Sequence, residues 1–325
     1  MTEEQETSSA TSAPPGWLAW GQLLRISMTP SALSDAGAGL LLGAGLWPGG
    51  QGGWMLLASF CAYHGGMALN DWADSEHDAR TRPERPIPSG AVRHELALAV
   101  SLALLFAGPA IAWWVSPAAG MCMALVSVCA ATYDLCGRGA LLGPLLLGVC
   151  RAGNLGAAML AGRALSSPGV GLPDATLWIA CALYGGYVFW LSRLGRLEDG
   201  EDSAPLEQRP RAYLYGAMGC MAAVPLVLGV LQLQRSPGTW GWIALAASGA
   251  VAWFAIGPLA QLARHTPTWT RGDVMRGMGM GLRRLLVFTA LLALASGSPH
   301  ALWVGAGILS GYPVAHGLRE LFPPS

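Results

Sequence analysis

The sequence predicts an all-α fold, a polytopic bundle of membrane-spanning helices. Of its 325 residues, 53% are hydrophobic and only 12% are charged, about half the charged fraction of an average globular protein. Apolar runs of about twenty residues, the length that crosses a bilayer as a helix, recur along the whole chain. The formal net charge is zero and there is no basic tail, so we do not expect a nucleic acid as a partner.

Ten apolar runs are candidate spans, which predicts about nine or ten transmembrane helices. Short breaks that contain Pro, Gly or Ser separate them, as at Ser116-Pro117 and Ser298-Pro299. In chain order the runs cover residues 24–46, 54–73, 93–115, 118–136, 140–163, 174–194, 211–233, 238–262, 275–297 and 300–319.

The N-terminal segment differs from the rest of the chain. Residues 1–21 begin with an acidic, polar and Pro-containing stretch that lacks the basic start of a signal peptide. This composition predicts a disordered cytoplasmic tail. Residues 22–320 are then a single transmembrane domain.

Two connections between spans are much more polar than the others, at 74–93 and 195–210. They follow the second and sixth spans, so they emerge on the same side of the membrane. If the N-terminus is inside, only Arg163 and Arg235 fall on outside connections. The positive-inside rule therefore places the N-terminus and both polar connections in the cytoplasm. We expect an integral protein of a cell membrane, the inner membrane of a bacterium.

The first polar connection carries the most informative pattern. Asn70, Asp71, Asp74 and Asp78 fall at i, i+1, i+4 and i+8, which places them on one broad face of a helix. Oxygen ligands gathered in this way suit a hard divalent cation such as Mg²⁺. The arginines that follow, among them Arg82 and Arg85, suit a phosphate-bearing ligand.

The second polar connection repeats this chemistry. Glu198 and Asp202 are four residues apart, Asp199 and Asp202 are three apart, and Arg196 precedes them. Two carboxylate clusters on one side of a bundle can hold one or two Mg²⁺ ions together with a diphosphate. The metal would stabilise the charge of a departing diphosphate. The alternative is that each cluster is only a solvated cytoplasmic loop.

The string N70-D71-x-x-D74-x-x-x-D78, followed by R82-P83-E84-R85-P86, resembles the first signature of the UbiA superfamily of intramembrane prenyltransferases. The resemblance implies a bundle of about nine spans around a central cavity. It implies Mg²⁺ that bridges the two acidic motifs and a polyprenyl diphosphate, whose tail leaves laterally into lipid. It also implies the metal ligands, which would be Asn70, Asp71, Asp74, Asp78, Glu198, Asp199 and Asp202.

Other site residues follow from the same resemblance. Asp71, Asp74, Asp78, Glu198 and Asp202 are the expected catalytic residues, and Asn70, Arg82 and Arg85 are expected to bind the diphosphate. Many members have a Lys-Asp start and a D-x-x-x-D core in the second motif, whereas this chain has E198-x-x-x-D202. Arg138 follows Tyr133 where members often have a lysine, and Arg25 lies near the position of a family arginine. These departures indicate an outlying branch.

Four polar residues fall inside apolar runs, where they are costly unless they face the protein interior. They are Asp35, Asp134, Arg151 and Asn154. Arg151 and Asn154 are three residues apart and share a helix face. They are candidates for substrate binding in a cavity; the alternative is that Arg151 forms a structural pair with Asp35 or Asp134.

The favoured hypothesis is a Mg²⁺-dependent prenyltransferase that moves a prenyl group from an allylic diphosphate to a small-molecule or lipid acceptor. One alternative is a terpene cyclase on the same scaffold. Another is a transporter gated by the acidic loops, although transporters place charges near the bilayer midplane. No residue pattern specifies the acceptor, the prenyl chain length or the oligomeric state.

Overall fold

The computed structural model describes residues 16–136, 139–167, 172–197, 209–235 and 237–323. The described part is helical and contains no strand, so the all-α prediction is confirmed. Its helices are α1 (Gly16–Leu23), α2 (Thr29–Ala44), α3 (Gly52–Ala73), α4 (Ser75–Thr81), α5 (His94–Val115), α6 (Pro117–Leu135), α7 (Leu142–Ser166), α8 (Ala175–Gly195), α9 (Arg209–Arg235), α10 (Thr239–His265), α11 (Arg271–Leu294), α12 (Ala301–Leu309) and α13 (Gly311–Leu321).

Seven helices within the described residues, α5 to α11, are long and apolar enough to cross a membrane. They match the third to ninth predicted spans. The first two predicted spans correspond to α2 and α3, which pack into the same bundle. The protein is therefore a polytopic membrane protein, and the total of nine spans stays a prediction.

Two sequence-based boundaries need correction. Residues 16–21, which we expected in the tail, begin α1, because its apolar side chains Ala19 and Leu23 are buried against the bundle. The expected tail residues 1–15 lie outside the described part. The predicted tenth span, 300–319, is two short helices that meet at Ser310. Pro313, which lacks an N–H, lies in the first turn of α13, where a helix tolerates it.

The helices form a ring. Helices α5 to α11 pack against one another in sequence order, α11 packs against α2, and α3 closes the ring between α2 and α5. Within the ring, α2 also crosses α7 closely. Gly39 and Gly43 of α2 and Gly162 of α7 have no room for a Cβ, which would overlap the backbone of the facing helix. Small residues at a membrane helix crossing allow this close approach.

The expected central cavity lies between α2, α3, α6, α7, α8 and α11. Its volume is about 310 Å³. Its walls are mostly apolar, with Met67, Val126, Leu282 and Leu285 among the lining residues. One end of this cavity is next to the α3–α4 junction, where the acidic motif lies.

Candidate functional site

The acidic motif continues from α3 into α4. α3 ends at Ala73 and α4 begins at Ser75, but backbone hydrogen bonds from Asp74 N to Asn70 O (3.0 Å) and from Asp78 N to Asp74 O (2.9 Å) preserve the helical register. The motif therefore keeps its single face. Asp71 and Asp78 are buried and Asp74 is half-buried.

Two arginines bind the buried carboxylates. Arg25 Nη2 donates to Asp71 Oδ1 at 2.8 Å, and Arg85 Nη1 donates to Asp78 Oδ2 at 2.6 Å. The same Nη1 atom lies 3.7 Å from Asp71 Oδ1. Asp71 and Asp78 therefore share one guanidinium, which holds both carboxylates together.

Arg25 reaches Asp71 from a constrained turn. Its φ of 50° lies in the left-handed region, the only such non-glycine residue in the described part of the chain, and this conformation is costly for a residue with a Cβ. His64 of α3 forms one hydrogen bond on each side of this turn. Its Nδ1 donates to Leu24 O at 2.6 Å and its Nε2 accepts from Thr29 Oγ1 at 3.0 Å. His64 thus fixes the turn that presents Arg25.

A polar pocket of about 260 Å³ opens beside these carboxylates; we call it the rim pocket. Arg25, Arg82, Arg85 and Asp71 line it, together with Gln22 and the C-terminal residues Phe322 and Pro323. The buried Arg85 Nε has no hydrogen-bond partner among the described residues. A buried N–H donor without an acceptor is unfavourable, and the three arginines that line the pocket suit it to an anion.

Gln22 of α1 and the segment after α13 form one wall of the rim pocket. Gln22 Nε2 donates to Pro323 O at 3.0 Å, and the Trp17 and Phe322 rings form an edge-to-face pair with centroids 5.8 Å apart. Helix α1 and the segment after α13 are therefore joined at the pocket mouth.

Asn70 and Arg25 link the rim pocket to the central cavity. Arg25 lines both. Asn70 Nδ2 donates to Asp134 Oδ1 at 2.9 Å, and both residues line the central cavity. Because a carboxylate only accepts hydrogen bonds, the amide nitrogen must face Asp134, which leaves the Asn70 oxygen for another ligand.

A second polar network lies deeper in the central cavity and is centred on the fully buried Asp35. Asp35 accepts hydrogen bonds from Arg151 (2.8 Å), Asn154 (3.2 Å) and Tyr184 (2.6 Å). The Arg151 guanidinium also lies 4.8 Å from the centroid of the Tyr63 ring. This network joins α2, α3, α7 and α8 inside the membrane.

The residues present fit a magnesium ion. Asp71 and Asp78 supply carboxylate oxygens, and Asn70 supplies an amide oxygen. Mg²⁺ in proteins is usually bound by one or two carboxylates, with phosphate oxygens and water as the remaining ligands. Within the described residues no three His, Cys, Asp or Glu side chains converge on one point, so ligands from elsewhere, such as phosphate oxygens, would complete the coordination.

The structure groups the described site candidates into three places. The rim pocket gathers Arg25, Asp71, Arg82 and Arg85. Asp78 lies behind it, bonded to Arg85, and Asp74 lies at the adjoining α3–α4 junction. Asn70 faces the central cavity. Arg151 and Asn154 lie deeper, where Arg151 both lines the cavity and pairs with Asp35. The remaining candidates lie outside the described residues; they are Arg138, Glu198, Asp199 and Asp202.

Sequence reasoning missed several partners in the deep network. Ser31 accepts from Arg151 Nη2 at 3.0 Å, and Ser59 accepts from Asn154 Nδ2 at 2.8 Å. Ser31 lies four residues before Asp35, a spacing that could have indicated a shared face. Tyr184 is 149 residues from Asp35, so no local pattern could reveal that contact.

Comparison with known proteins identifies relatives of this arrangement. Residues 32–271 match the model of the UbiA prenyltransferase family. The digeranylgeranylglyceryl phosphate synthase of Methanopyrus kandleri is 31% identical over 271 residues, which cover 79% of this chain and 90% of the relative.

Two solved structures share the fold. A digeranylgeranylglyceryl phosphate synthase structure gives a TM-score of 0.62 at 16% identity and covers 87% of this chain and 99% of that one. A UbiA homologue from Archaeoglobus fulgidus, bound to GPP and Mg²⁺, gives 0.57 at 12% identity and covers 85% of this chain and 99% of that one.

Proposed function

Because the chain belongs to the UbiA prenyltransferase family, we propose that it transfers a prenyl group from an allylic prenyl diphosphate to a hydroxyl group of a glycerol phosphate lipid. Mg²⁺ is the cofactor and diphosphate is the second product. The observation that carries this proposal is the rim pocket, with three arginines and the buried carboxylate of Asp71, next to a largely apolar cavity inside the membrane.

The rim pocket is suited to the diphosphate. Arg25, Arg82 and Arg85 provide guanidinium donors, which bind phosphate oxygens in pairs. Asp71 and Asp78 would hold Mg²⁺ together with the diphosphate oxygens. When bound, the metal neutralises charge that develops on the leaving diphosphate. Arg25 and Arg85 pair with these carboxylates, and the same guanidinium groups would bind the diphosphate together with the metal.

The central cavity is suited to the prenyl chain. Its side chains are largely apolar around Met67, Val126 and Leu285, so they exclude water from the allylic carbon. Exclusion of water protects a reactive carbocationic centre from hydrolysis. The reaction breaks the bond between C1 and the diphosphate oxygen, which keeps the electron pair. The acceptor oxygen then forms the new ether bond to C1, and its proton passes to the released diphosphate.

The relatives' name motivates the acceptor. Digeranylgeranylglyceryl phosphate carries two geranylgeranyl groups on one glyceryl phosphate, so a glycerol phosphate with one prenyl ether is the corresponding acceptor. Such a lipid has an apolar chain, a free hydroxyl and a phosphate. The adjoining cavity and rim pocket supply an apolar wall and guanidinium groups for these parts.

The orientation of the site follows from the arginines in the connections. The positive-inside rule supports a cytoplasmic rim pocket, with the N-terminus on the same side. A water-soluble diphosphate leaving group would then be released into the cytoplasm.

Purified protein in detergent or nanodiscs tests the function. Geranylgeranyl diphosphate, Mg²⁺ and a 1-O-alkylglycerol 3-phosphate should together give diphosphate release and a dialkylglycerol phosphate, detected by mass spectrometry. Omission of Mg²⁺ or of the acceptor should abolish both products. A cyclised hydrocarbon formed without an acceptor would indicate a cyclase instead, and no diphosphate release from any prenyl diphosphate would overturn the proposal.

A further inference from the structure

The turn that joins α1 to α2 is held by a side chain of α3. His64 is fully buried, and it bonds Leu24 O through Nδ1 and Thr29 Oγ1 through Nε2. These two partners lie on either side of Arg25, so one imidazole ring fixes the backbone before and after that residue. The Phe60 ring packs against the imidazole, with centroids 4.3 Å apart. Because His64 is enclosed in this way, it can act on a substrate only through the residues that it holds.

The backbone of Arg25 depends on these contacts. Its φ of 50° and ψ of 48° are left-handed, a conformation that a residue with a Cβ keeps only where its surroundings impose it. Backbone bonds from Arg25 N to Gln22 O (2.9 Å) and from Met28 N to Arg25 O (2.8 Å) make the turn tight. Without the His64 bonds we expect the turn to relax and to carry the Arg25 side chain to another place.

The same helix fixes the other end of Arg25. Arg25 Nη2 donates to Asp71 Oδ1 at 2.8 Å. Asp71 follows His64 by seven residues, which is two turns along the same face of α3. Helix α3 therefore holds the Arg25 backbone through His64 and its guanidinium through Asp71. The Arg25 side chain is still 39% exposed, so a ligand can reach the N–H groups that do not bond Asp71.

This placement puts Arg25 at the junction of the two pockets, because it lines both the rim pocket and the central cavity. In the proposed function the diphosphate occupies the rim pocket and the prenyl chain occupies the cavity. A guanidinium at the junction is therefore suited to the diphosphate oxygens nearest to C1.

We propose that His64 is a positioning residue for diphosphate binding, because it imposes the left-handed turn that directs Arg25 to this junction. The inference rests on the proposed function, since the diphosphate is the ligand that Arg25 would bind. His64 acts through Arg25, so its removal should weaken diphosphate binding only while Arg25 is present.

A double-mutant cycle tests this dependence. Geranylgeranyl diphosphate with Mg²⁺ is titrated calorimetrically into the detergent-solubilised full-length protein without an acceptor. His64→Leu and Arg25→Ala should each bind the diphosphate about 10-fold more weakly, the scale of losing one charged hydrogen bond. The double variant His64→Leu/Arg25→Ala should bind no more weakly than Arg25→Ala, because its turn presents no guanidinium. A general loss of structure would instead weaken binding further in the double variant.

Thr29→Val gives a milder and independent perturbation. It removes the hydroxyl that bonds His64 but keeps the shape of the side chain, so the diphosphate affinity should fall about 3-fold. The matched control is Thr289→Val on α11. Thr289 is fully buried and its hydroxyl bonds carbonyl oxygens of its own helix, so this variant should keep the wild-type affinity. If His64→Leu does not fold, Thr29→Val replaces it in the cycle with Arg25→Ala.

The outcomes separate this inference from the proposed function. Wild-type affinity in both His64→Leu and Thr29→Val would overturn the positioning role, and so would a His64→Leu effect that persists undiminished in the Arg25→Ala background. A wild type that binds no prenyl diphosphate would overturn both proposals. If the coupling to Arg25 is found but no acceptor gives diphosphate release, the proposed function is wrong and the positioning role stands.

Discussion

At the residue scale, the site contains buried carboxylates, and each of them forms an ion pair with an arginine. Asp78 is 3% exposed and bonded to Arg85 at 2.6 Å, and Asp71 lies between Arg25 and Arg85. Breaking a buried ion pair by removing one partner strands the other charge in the protein. The same ion pairs that stabilise the protein here therefore lie in the proposed diphosphate site.

The Asp78–Arg85 pair allows these two roles to be separated. Arg85→Leu should lower the free energy of unfolding by about 3–5 kcal/mol, because Asp78 stays buried without its partner. The double variant Asp78→Leu/Arg85→Leu should recover much of that loss, yet remain inactive. Thermal unfolding in detergent and diphosphate release measure the two effects. A double variant less stable than Arg85→Leu would contradict this account.

Asp71 tests the metal and diphosphate role directly. Asp71→Asn keeps the shape of the side chain but removes its charge, so kcat/KM for the prenyl diphosphate should fall about 100-fold, the scale of losing one transition-state contact. The matched control is Asp273→Asn. Asp273 is half-buried and caps α11 through its hydrogen bonds with Thr270. If both variants lose activity equally, the proposed role of Asp71 is wrong.

At the element scale, the crossing of α2 and α7 positions the deep network. Asp35 lies on α2, and Arg151 and Asn154 lie on α7, so the distance between these helices sets their hydrogen bonds. Gly39, Gly43 and Gly162 permit the close approach. A wider crossing would separate Asp35 from both of its α7 donors.

Two glycines on the same helix test this dependence. A Cβ at Gly43 would overlap the Met159 backbone, whereas a Cβ at Gly37 meets nothing within 4 Å. Gly43→Ala should cost about 1–3 kcal/mol of stability through overpacking, and Gly37→Ala should cost much less. Thermal unfolding of both purified variants gives the comparison. Equal stabilities would show that the crossing tolerates a wider separation.

The sequence predicted the helices better than their contacts. Apolar runs near twenty residues define α5 to α11 because membrane helices need that length, and the Asn70–Asp78 spacing was readable because it is local. The Gly311 and Pro313 signals could have predicted the break in the last run. The Arg25–Asp71 and Asp35–Tyr184 pairs join distant parts of the chain, so no periodicity encodes them.

At the scale of the whole molecule, the family match and the apolar helices define an integral membrane protein, and the arginines predict which side its site faces. The match ends at residue 271. Beyond it, α12 packs against α11 and α2 and covers the junction between these two helices. The C-terminal segment then continues to the rim pocket.

Cysteine labelling tests the predicted orientation. Cys136 is free and exposed at the end of α6, on the side that we expect to face the cytoplasm. A membrane-impermeant maleimide should label it in inside-out vesicles and not in right-side-out vesicles. Gly50→Cys in a Cys136→Ser background should show the opposite pattern, because Gly50 is exposed between α2 and α3. The same pattern for both sites would exclude this topology.

The contact between Gln22 and Pro323 also has a practical consequence for the laboratory. The rim pocket is walled by Phe322 and Pro323, so a purification tag fused directly after residue 325 begins two residues beyond this wall. A polyhistidine tag would bring a cluster of metal-binding imidazoles close to Asp71 and the arginines. Divalent-cation titrations should therefore use protein from which such a tag has been cleaved.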